Sequence, residues 1–489
     1  MRSLRLVAFL AIPAQVVVAQ QTPYTGHALT LDQAVQIAHR NNPAFRQVEN
    51  NLRNSESQVR QAYAALLPSS STNFSARYQQ AGTQYFQGVP IPGSADTYQS
   101  SYAIGLSYNI SGAVAFAPRA ARANRDAAEA DISSQGEALR SQVTSQYITA
   151  LQQQAQAALQ DTLVQTAQGQ LDLANAKLKV GAGTILDVRS AEVALGQAQV
   201  NALTAHSQAV IEKLKLFQLM GIPADTTTAL TTTFTVTAPP GSLDSLIALA
   251  EHVNPDLEAK KARQFASQMQ VNSAKTEYLP SLSISTGWGG NSFSYASSDY
   301  VVNSAIAAQV RNYNSCIAFD SVRVGAGLSP SNCGSPTLSA EEISARRASN
   351  NGFPFKFNRS PFGVSATLSL PIFNNYAREA QIEQAKVQRD NAAYDLRARN
   401  LQVTTDVTQA YLTLVTAQRT VELQTQNAQK ATEELSFAQE SYKVGAKTFL
   451  DVTNARGQYE QAQVARVNAI YDYHKAFAAL ENAVGRPLR

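Results

Sequence analysis

Few residues of this 489-residue chain have the type and spacing that chemistry requires. The five histidines, His27, His39, His206, His252 and His474, are scattered and read as surface or helix-end residues, so no metal site is expected. A P-loop, a zinc-protease helix motif, a Cys-x-x-Cys pair and a nucleophile elbow are all missing. No enzyme and no cofactor is expected. The two cysteines, Cys316 and Cys333, lie in one stretch. In an exported chain they are expected to close a loop as a disulfide worth on the order of 3 kcal/mol. The remaining candidates are Asp187 and Asp451, which stand at matching places in two copies of one turn. Val180-Gly181-Ala182-Gly183-Thr184-Ile185-Leu186-Asp187 returns as Val444-Gly445-Ala446-Lys447-Thr448-Phe449-Leu450-Asp451. A carboxylate there can cap the following helix, and Lys447 stands four residues before Asp451, at pairing distance on a helix.

The turn is one part of a longer duplication. Leu31-Asp32-Gln33-Ala34 with Asn42-Pro43 returns as Leu243-Asp244-Ser245-Leu246 with Asn254-Pro255, and Leu67-Pro68-Ser69 returns as Leu279-Pro280-Ser281. Met220-Gly221-Ile222-Pro223 matches Val484-Gly485-Arg486-Pro487. Whatever one half builds, the other builds again. The halves are placed at 20–240 and 241–489. Between Leu31/Leu243 and Lys179/Lys443 the offset grows by about fifty residues, which puts most of an insertion inside the second half.

Residues 1–19 read as an export signal: Arg2 and Arg5, an apolar run from Leu6 to Val18, and cleavage expected after Ala19. No cysteine follows at that point to carry a lipid. The formal charge of +4 is small for the length, and no basic stripe points to nucleic acid. Abundant alanine and glutamine suit long helices.

Each half begins with a short amphipathic helix broken at Asn-Pro, followed by a second helix that ends near Pro68 or Pro280. Alternating segments come next, at about 70–80 and 100–111, then 281–290 and 362–373. Tyr102, Ile104, Leu106, Tyr108 and Ile110 alternate with small or polar residues, as in a strand between two different media. Runs of about ten residues can cross a bilayer as tilted strands. Four strands cannot close a passable barrel, and an open sheet cannot sit in lipid with bare edges. Several chains must therefore share one barrel. From Tyr376 to Val444 there is neither proline nor glycine, enough for a helix on the order of 100 Å. Val403, Val407, Ala410, Leu414, Ala417 and Val421 step by four and three, as a coiled-coil seam does. Residues 291–361, rich in Ser, Asn, Gly and Pro, read as an inserted extracellular loop.

In their order and duplication these blocks resemble the TolC-like outer membrane efflux family. The carriers are the two Leu-x-x-(Ala/Leu)…Asn-Pro blocks, the Leu-Pro-Ser blocks and the two Val-Gly-Ala-x-Thr-x-Leu-Asp-Val turns. The resemblance covers nearly all of the chain after the signal. It implies a mainly α protein with membrane β: a homotrimer, four strands per chain in one twelve-strand barrel, and a periplasmic α-helical tunnel closed at its tip. The implied place is the bacterial outer membrane, in contact with its lipid. The implied function is the duct of a tripartite export system, fed by an inner-membrane transporter and a periplasmic adaptor (membrane fusion protein). The family's tip turns map onto Gly181, Gly183 and Gly445. Its gate lock maps onto Asp187, Tyr442 and Lys447, the lysine standing where the family has arginine; a loss of the bidentate fork implies a looser lock. Asp451 maps onto an aspartate ring at the narrowest point, and Asn454 replaces its acidic companion. Three such carboxylates around one axis would favour a bound cation or a raised pKa. The competing class is a periplasmic coiled-coil scaffold without a pore, which would leave the alternating strands without a role.

Overall fold

The structure is a computed structural model that describes residues 28–82, 84–86, 89–91 and 95–488. The expected export signal at 1–19, and His27, lie outside the described residues. The first half runs β1 (Ala28–Leu29), α1 (Leu31–Asn41), α2 (Pro43–Ala64), β2 (Ser69–Gln79), β3 (Gln84–Phe86), β4 (Val89–Ile91), β5 (Thr97–Ile110), α3 (Gly112–Lys179) and α4 (Ile185–Met220). The second runs β6 (Ala229–Leu230), α5 (Leu243–Val253), α6 (Pro255–Lys275), β7 (Ser281–Tyr295), α7 (Ser298–Gly325), α8 (Ala340–Ser349), β8 (Asn358–Arg359), β9 (Gly363–Ser369), α9 (Ala377–Lys443) and α10 (Phe449–Val484). Two compact units result, one helical (28–58, 121–270, 385–488) and one built on strands (59–120, 271–384).

In the helical unit the repeated sequence blocks turn out to be joints. Asn42 does more than end α1. Its buried side chain donates from Nδ2 to the Leu219 carbonyl at 2.8 Å and accepts from the Phe45 amide at 3.0 Å. Asn254 repeats this, donating to the Ala483 carbonyl at 2.9 Å and accepting from the Asp256 and Leu257 amides. The glycines that end α4 and α10, Gly221 and Gly485, adopt φ of 72° and 91°, the left-handed region that a side chain disfavours. A Cβ on Gly221 would stand 2.4 Å from the Asn41 carbonyl oxygen, and one on Gly485 2.6 Å from Pro255 Cδ. Each helix end is thus locked onto its half's Asn-Pro block. Leu29, Ala38, Val143, Tyr147, Phe217 and Met220 form the first core, and Leu246, Val403, Val407, Leu414, Tyr473 and Leu480 the second. The expected seam residues Val403, Val407, Ala410 and Leu414 are buried, with Ala417 and Val421 packed beside them. Tyr147 donates its hydroxyl proton to the Leu29 carbonyl at 2.7 Å, anchoring β1.

In the strand unit, β2, β5, β7 and β9 form an antiparallel sheet, with β8 pairing the far end of β7. Tyr102 faces Phe74 across the ladder, Ile104 faces Trp288, and Ile110 faces Leu282, which in turn faces Leu368. Most of this apolar face is uncovered: Trp288 is 52% and Leu368 71% exposed. The opposite face carries hydroxyl pairs, Ser75–Ser101 and Ser285–Ser365, with oxygens 2.8 and 2.7 Å apart. Among the described residues, β2 pairs only with β5 and β9 only with β7.

Two expectations need correction. The fourth strand stops at Ser369 rather than 373, because Pro371 has no N–H for the ladder. The Pro371 and Ile372 carbonyls turn instead to the Arg378 guanidinium, at 2.9 and 3.3 Å. The stretch 291–361 is not an irregular loop. Residues 291–295 continue β7, and α7 and α8 follow. Ser339 and Glu342 cap α8 reciprocally, and Arg347 on α8 reaches Asp299 on α7 at 3.0 Å. Cys316 and Cys333 are disulfide-bonded, with Cα atoms 5.6 Å apart.

Replacing Asn254 with alanine uncaps α6 and strands the buried Ala483 carbonyl. The expected loss is on the order of 2 kcal/mol, read as a lower unfolding midpoint by circular dichroism in detergent. A midpoint matching that of Asn454→Ala, at an exposed site, would refute the joint.

Candidate functional site at the helix tips

The chain reverses twice between long helices of the helical unit, and each reversal has the same construction. Gly181 and Gly445 take φ of 74° and 81°, so the left-handed residue closing each first helix is the one that can adopt it freely. Thr184 and Thr448 then start α4 and α10 with capping boxes. The Thr184 amide donates to Asp187 Oδ2 at 3.1 Å, and the Asp187 amide donates to Thr184 Oγ1 at 3.2 Å. The Thr448 amide donates to Asp451 Oδ2 at 2.9 Å, and the Thr448 hydroxyl donates to the same oxygen at 2.8 Å.

All four long helices meet here. Ala174 of α3, Val188 and Ala191 of α4, Leu435, Ala438 and Tyr442 of α9, and Phe449, Val452 and Ala455 of α10 share one apolar cluster. Small residues dominate because helices in close approach leave no room for larger ones. The Tyr442 ring is 5% exposed and meets Phe449 edge-on, with centroids 5.7 Å apart.

The structure brings Asp187 and Tyr442 together. The Tyr442 hydroxyl is buried and makes no fully formed hydrogen bond within the chain. It nevertheless lies close enough to Asp187 to feel it: burial first, then the Asp187 carboxylate, pushes the phenol pKa up. Lys447 does not join them. Its side chain is exposed, and its charge acts on Asp451 four residues on. Lys447 is the residue before the N-cap Thr448, and its side chain meets neither Asp187 nor Tyr442 within the chain. Within the chain the Asp451 carboxyl is held below the usual range, chiefly by the Thr448 amide, then by the Thr448 hydroxyl, with a smaller part from Lys447. Asn454 is exposed on the next turn of α10.

Sequence reasoning missed Lys177. Its ammonium lies 3.9 Å from the centroid of the Tyr442 ring and donates to the Tyr442 carbonyl oxygen. Setting the two turns side by side would have flagged it: Lys177 and Gly183 of the first stand opposite Ser441 and Lys447 of the second. Among the described residues no group of His, Cys, Asp and Glu could hold a metal ion, and no helix is long and apolar enough to cross a membrane.

Paired helical hairpins closing on glycine turns, in one chain with an antiparallel sheet whose apolar face is bare, are the features of an outer-membrane channel fold. The chain belongs to the outer membrane efflux protein family, whose pattern matches residues 34–222 and 335–486. It is 25% identical over 399 residues to the outer membrane efflux protein BepC of Brucella suis biovar 1 (strain 1330), covering 80% of this chain and 74% of that one. Over 128 residues it is 27% identical to nodulation protein T of Rhizobium leguminosarum bv. trifolii, covering 26% of this chain and 27% of that one. Among solved structures, VceC of Vibrio cholerae superposes with a TM-score of 0.67 at 18% identity, covering 94% of this chain and 97% of that one. The CmeC outer membrane channel of Campylobacter jejuni gives 0.69 at 16% identity, with 93% and 85% covered. These likenesses show the fold. The protein is TolC-like and resides in the outer membrane with its helical part in the periplasm. The family and its structural neighbours are channel proteins rather than enzymes.

The raised pKa of Tyr442 has a definite sign. Stabilisation from the buried neutral phenol is fully present below the ordinary value of 10.0 and is lost as pH rises through the raised one. The difference in melting temperature between wild type and Tyr442→Phe should therefore shift against the wild type in strong alkali. A difference that stays constant across that range would remove Tyr442 from the tip's electrostatics.

Proposed function

We propose that this protein is the outer-membrane duct of a tripartite export system, gated where its helix tips meet in the periplasm. The observation that carries the reading is the sheet: an uncovered apolar face, a hydroxyl-lined opposite face, and edges at β2 and β9 left unpaired by the chain itself. Unpaired edges are intolerable in hydrocarbon. In a homotrimer, β9 of one copy pairs with β2 of the next, and three sets of four strands close a twelve-strand barrel. The long helices of three copies then wall a tunnel. A periplasmic adaptor and an inner-membrane transporter supply cargo and energy, since no part of the chain is built to hydrolyse a nucleotide.

Closure rests on Asp187 and Tyr442, which join the first-half turn to the second-half helix. Asp451, with Asn454 one turn on, lines the aperture. One carboxylate ring in place of two predicts a weak cation block. Lys447, exposed and tied to neither Asp187 nor Tyr442 within the chain, would join the lock only against a neighbouring copy.

Purified full-length protein in a planar bilayer, with its oligomer mass measured on the same sample, tests the reading. A trimer with small, steady, cation-preferring currents is expected, and Asp187→Ala should enlarge them. A water-soluble monomer without conductance would overturn the duct and leave a periplasmic scaffold. For the aperture, Asp451→Ala should weaken block by divalent cations; unaltered block would place the constriction elsewhere.

A further inference from the structure

The two tip turns are copies, yet they place their lysines differently. The copies are superimposable in their backbone logic: the Ala182 amide donates to the Lys177 carbonyl at 2.9 Å, and the Ala446 amide to the Ser441 carbonyl at 2.8 Å. In the first turn Gly183 packs onto the root of Lys177; a Cβ added at 183 would stand 3.0 Å from Lys177 Cβ. In the second turn serine takes the lysine's place, and Lys447 takes the glycine's and points to solvent. One half has spent a side chain at the turn to clear space beneath it, and the other has not.

What the cleared space admits is a half-buried ammonium over an aromatic ring. Lys177 covers the face of Tyr442 at 3.9 Å and donates to that residue's main-chain oxygen. The Tyr442 carbonyl lies in the last turn of α9, where it also accepts from the Gly445 amide at 3.1 Å and where the helix dipole favours a cation. Ring and carbonyl belong to α9, and the lysine to α3. The contact therefore fastens the first half to the second at the level of the turn and fixes the face that Tyr442 presents to Asp187.

We infer that Lys177 is a positioning residue of the gate: its cation, acting through the ring and carbonyl of Tyr442, holds α3 against α9 in the closed tip. This rests on the reading of the tips as a gate. Within one chain the cation of the tie comes from the first half.

The test is single-channel recording of the full-length protein carrying Lys177→Met, Lys177→Arg, Gly183→Ala or Asp187→Ala, with oligomer mass and melting temperature taken on each. Lys177→Met keeps the stem and removes the charge, and should raise the open fraction roughly fivefold, the size of one partly desolvated cation–π contact. Lys177→Arg should restore closure. Gly183→Ala, which crowds the lysine without touching its charge, should open the tip as well and serves if Lys177→Met does not fold. Opening by Asp187→Ala with none from Lys177→Met or Gly183→Ala overturns the role of Lys177 and leaves the gate standing. Failure of arginine to restore closure overturns the role of the charge. No opening by any variant overturns the gate and the inference together.

Discussion

A backbone N–H or C=O in hydrocarbon has no water to bond, and leaving it unpaired costs several kcal/mol. The sheet of this chain is made under that constraint and does not satisfy it alone. Eleven residues of β2 pair on one side only, and β9 does likewise. Its apolar face, with Phe74, Ile104, Trp288 and Leu368 uncovered, suits lipid, while the serine ladders behind it suit water. Bare edges of this kind cannot stay unpaired in hydrocarbon, which is why the proposed duct has other copies supply them.

The helical unit answers a different demand, that of keeping very long helices in register. α3 has 68 residues and α9 has 67, and their hydrophobic faces alone would tolerate sliding by a heptad. The joints remove that freedom. Asn42 and Asn254 reach across to the last carbonyls of α4 and α10, and the positive-φ glycines there let backbone meet backbone closer than any side chain would allow. With one end of each hairpin pinned, the turns at the other end are held at a fixed distance, and small side-chain contacts can matter there.

At those turns the duplication stops being symmetrical. Equivalent threonines and aspartates cap both returning helices, so capping accounts for Asp187 and Asp451 alike. It does not account for Tyr442, whose equivalent in the first half is Leu178, nor for Lys177, whose equivalent is Ser441. The features that distinguish the halves are the ones that cross between them. A repeat can build the scaffold from two copies of one instruction, but a tie between copies needs a donor on one and an acceptor on the other.

Much of this was legible in the residues. Asn-Pro and Gly-x-Pro blocks, proline-free helices and period-two strands each follow from local rules of backbone geometry and side-chain alternation, so their order alone set the element sequence, the seam at Val403 to Leu414 and the matching turns. The same local rules failed where composition misled. The Ser- and Asn-rich stretch after β7 hid α7 and α8, although the Ser339/Glu342 cap was there to be read, and Pro371 was counted inside a strand that it ends. Tertiary structure decided what no spacing encodes. Lys447 is in sequence the natural substitute for an arginine and is exposed within the chain, while Lys177, 265 positions from Tyr442, lies on its ring. A chain fixes periodicity by itself because neighbours are bonded. Which distant side chains meet depends on how the four helices pack around Ala174, Ala191 and Ala438.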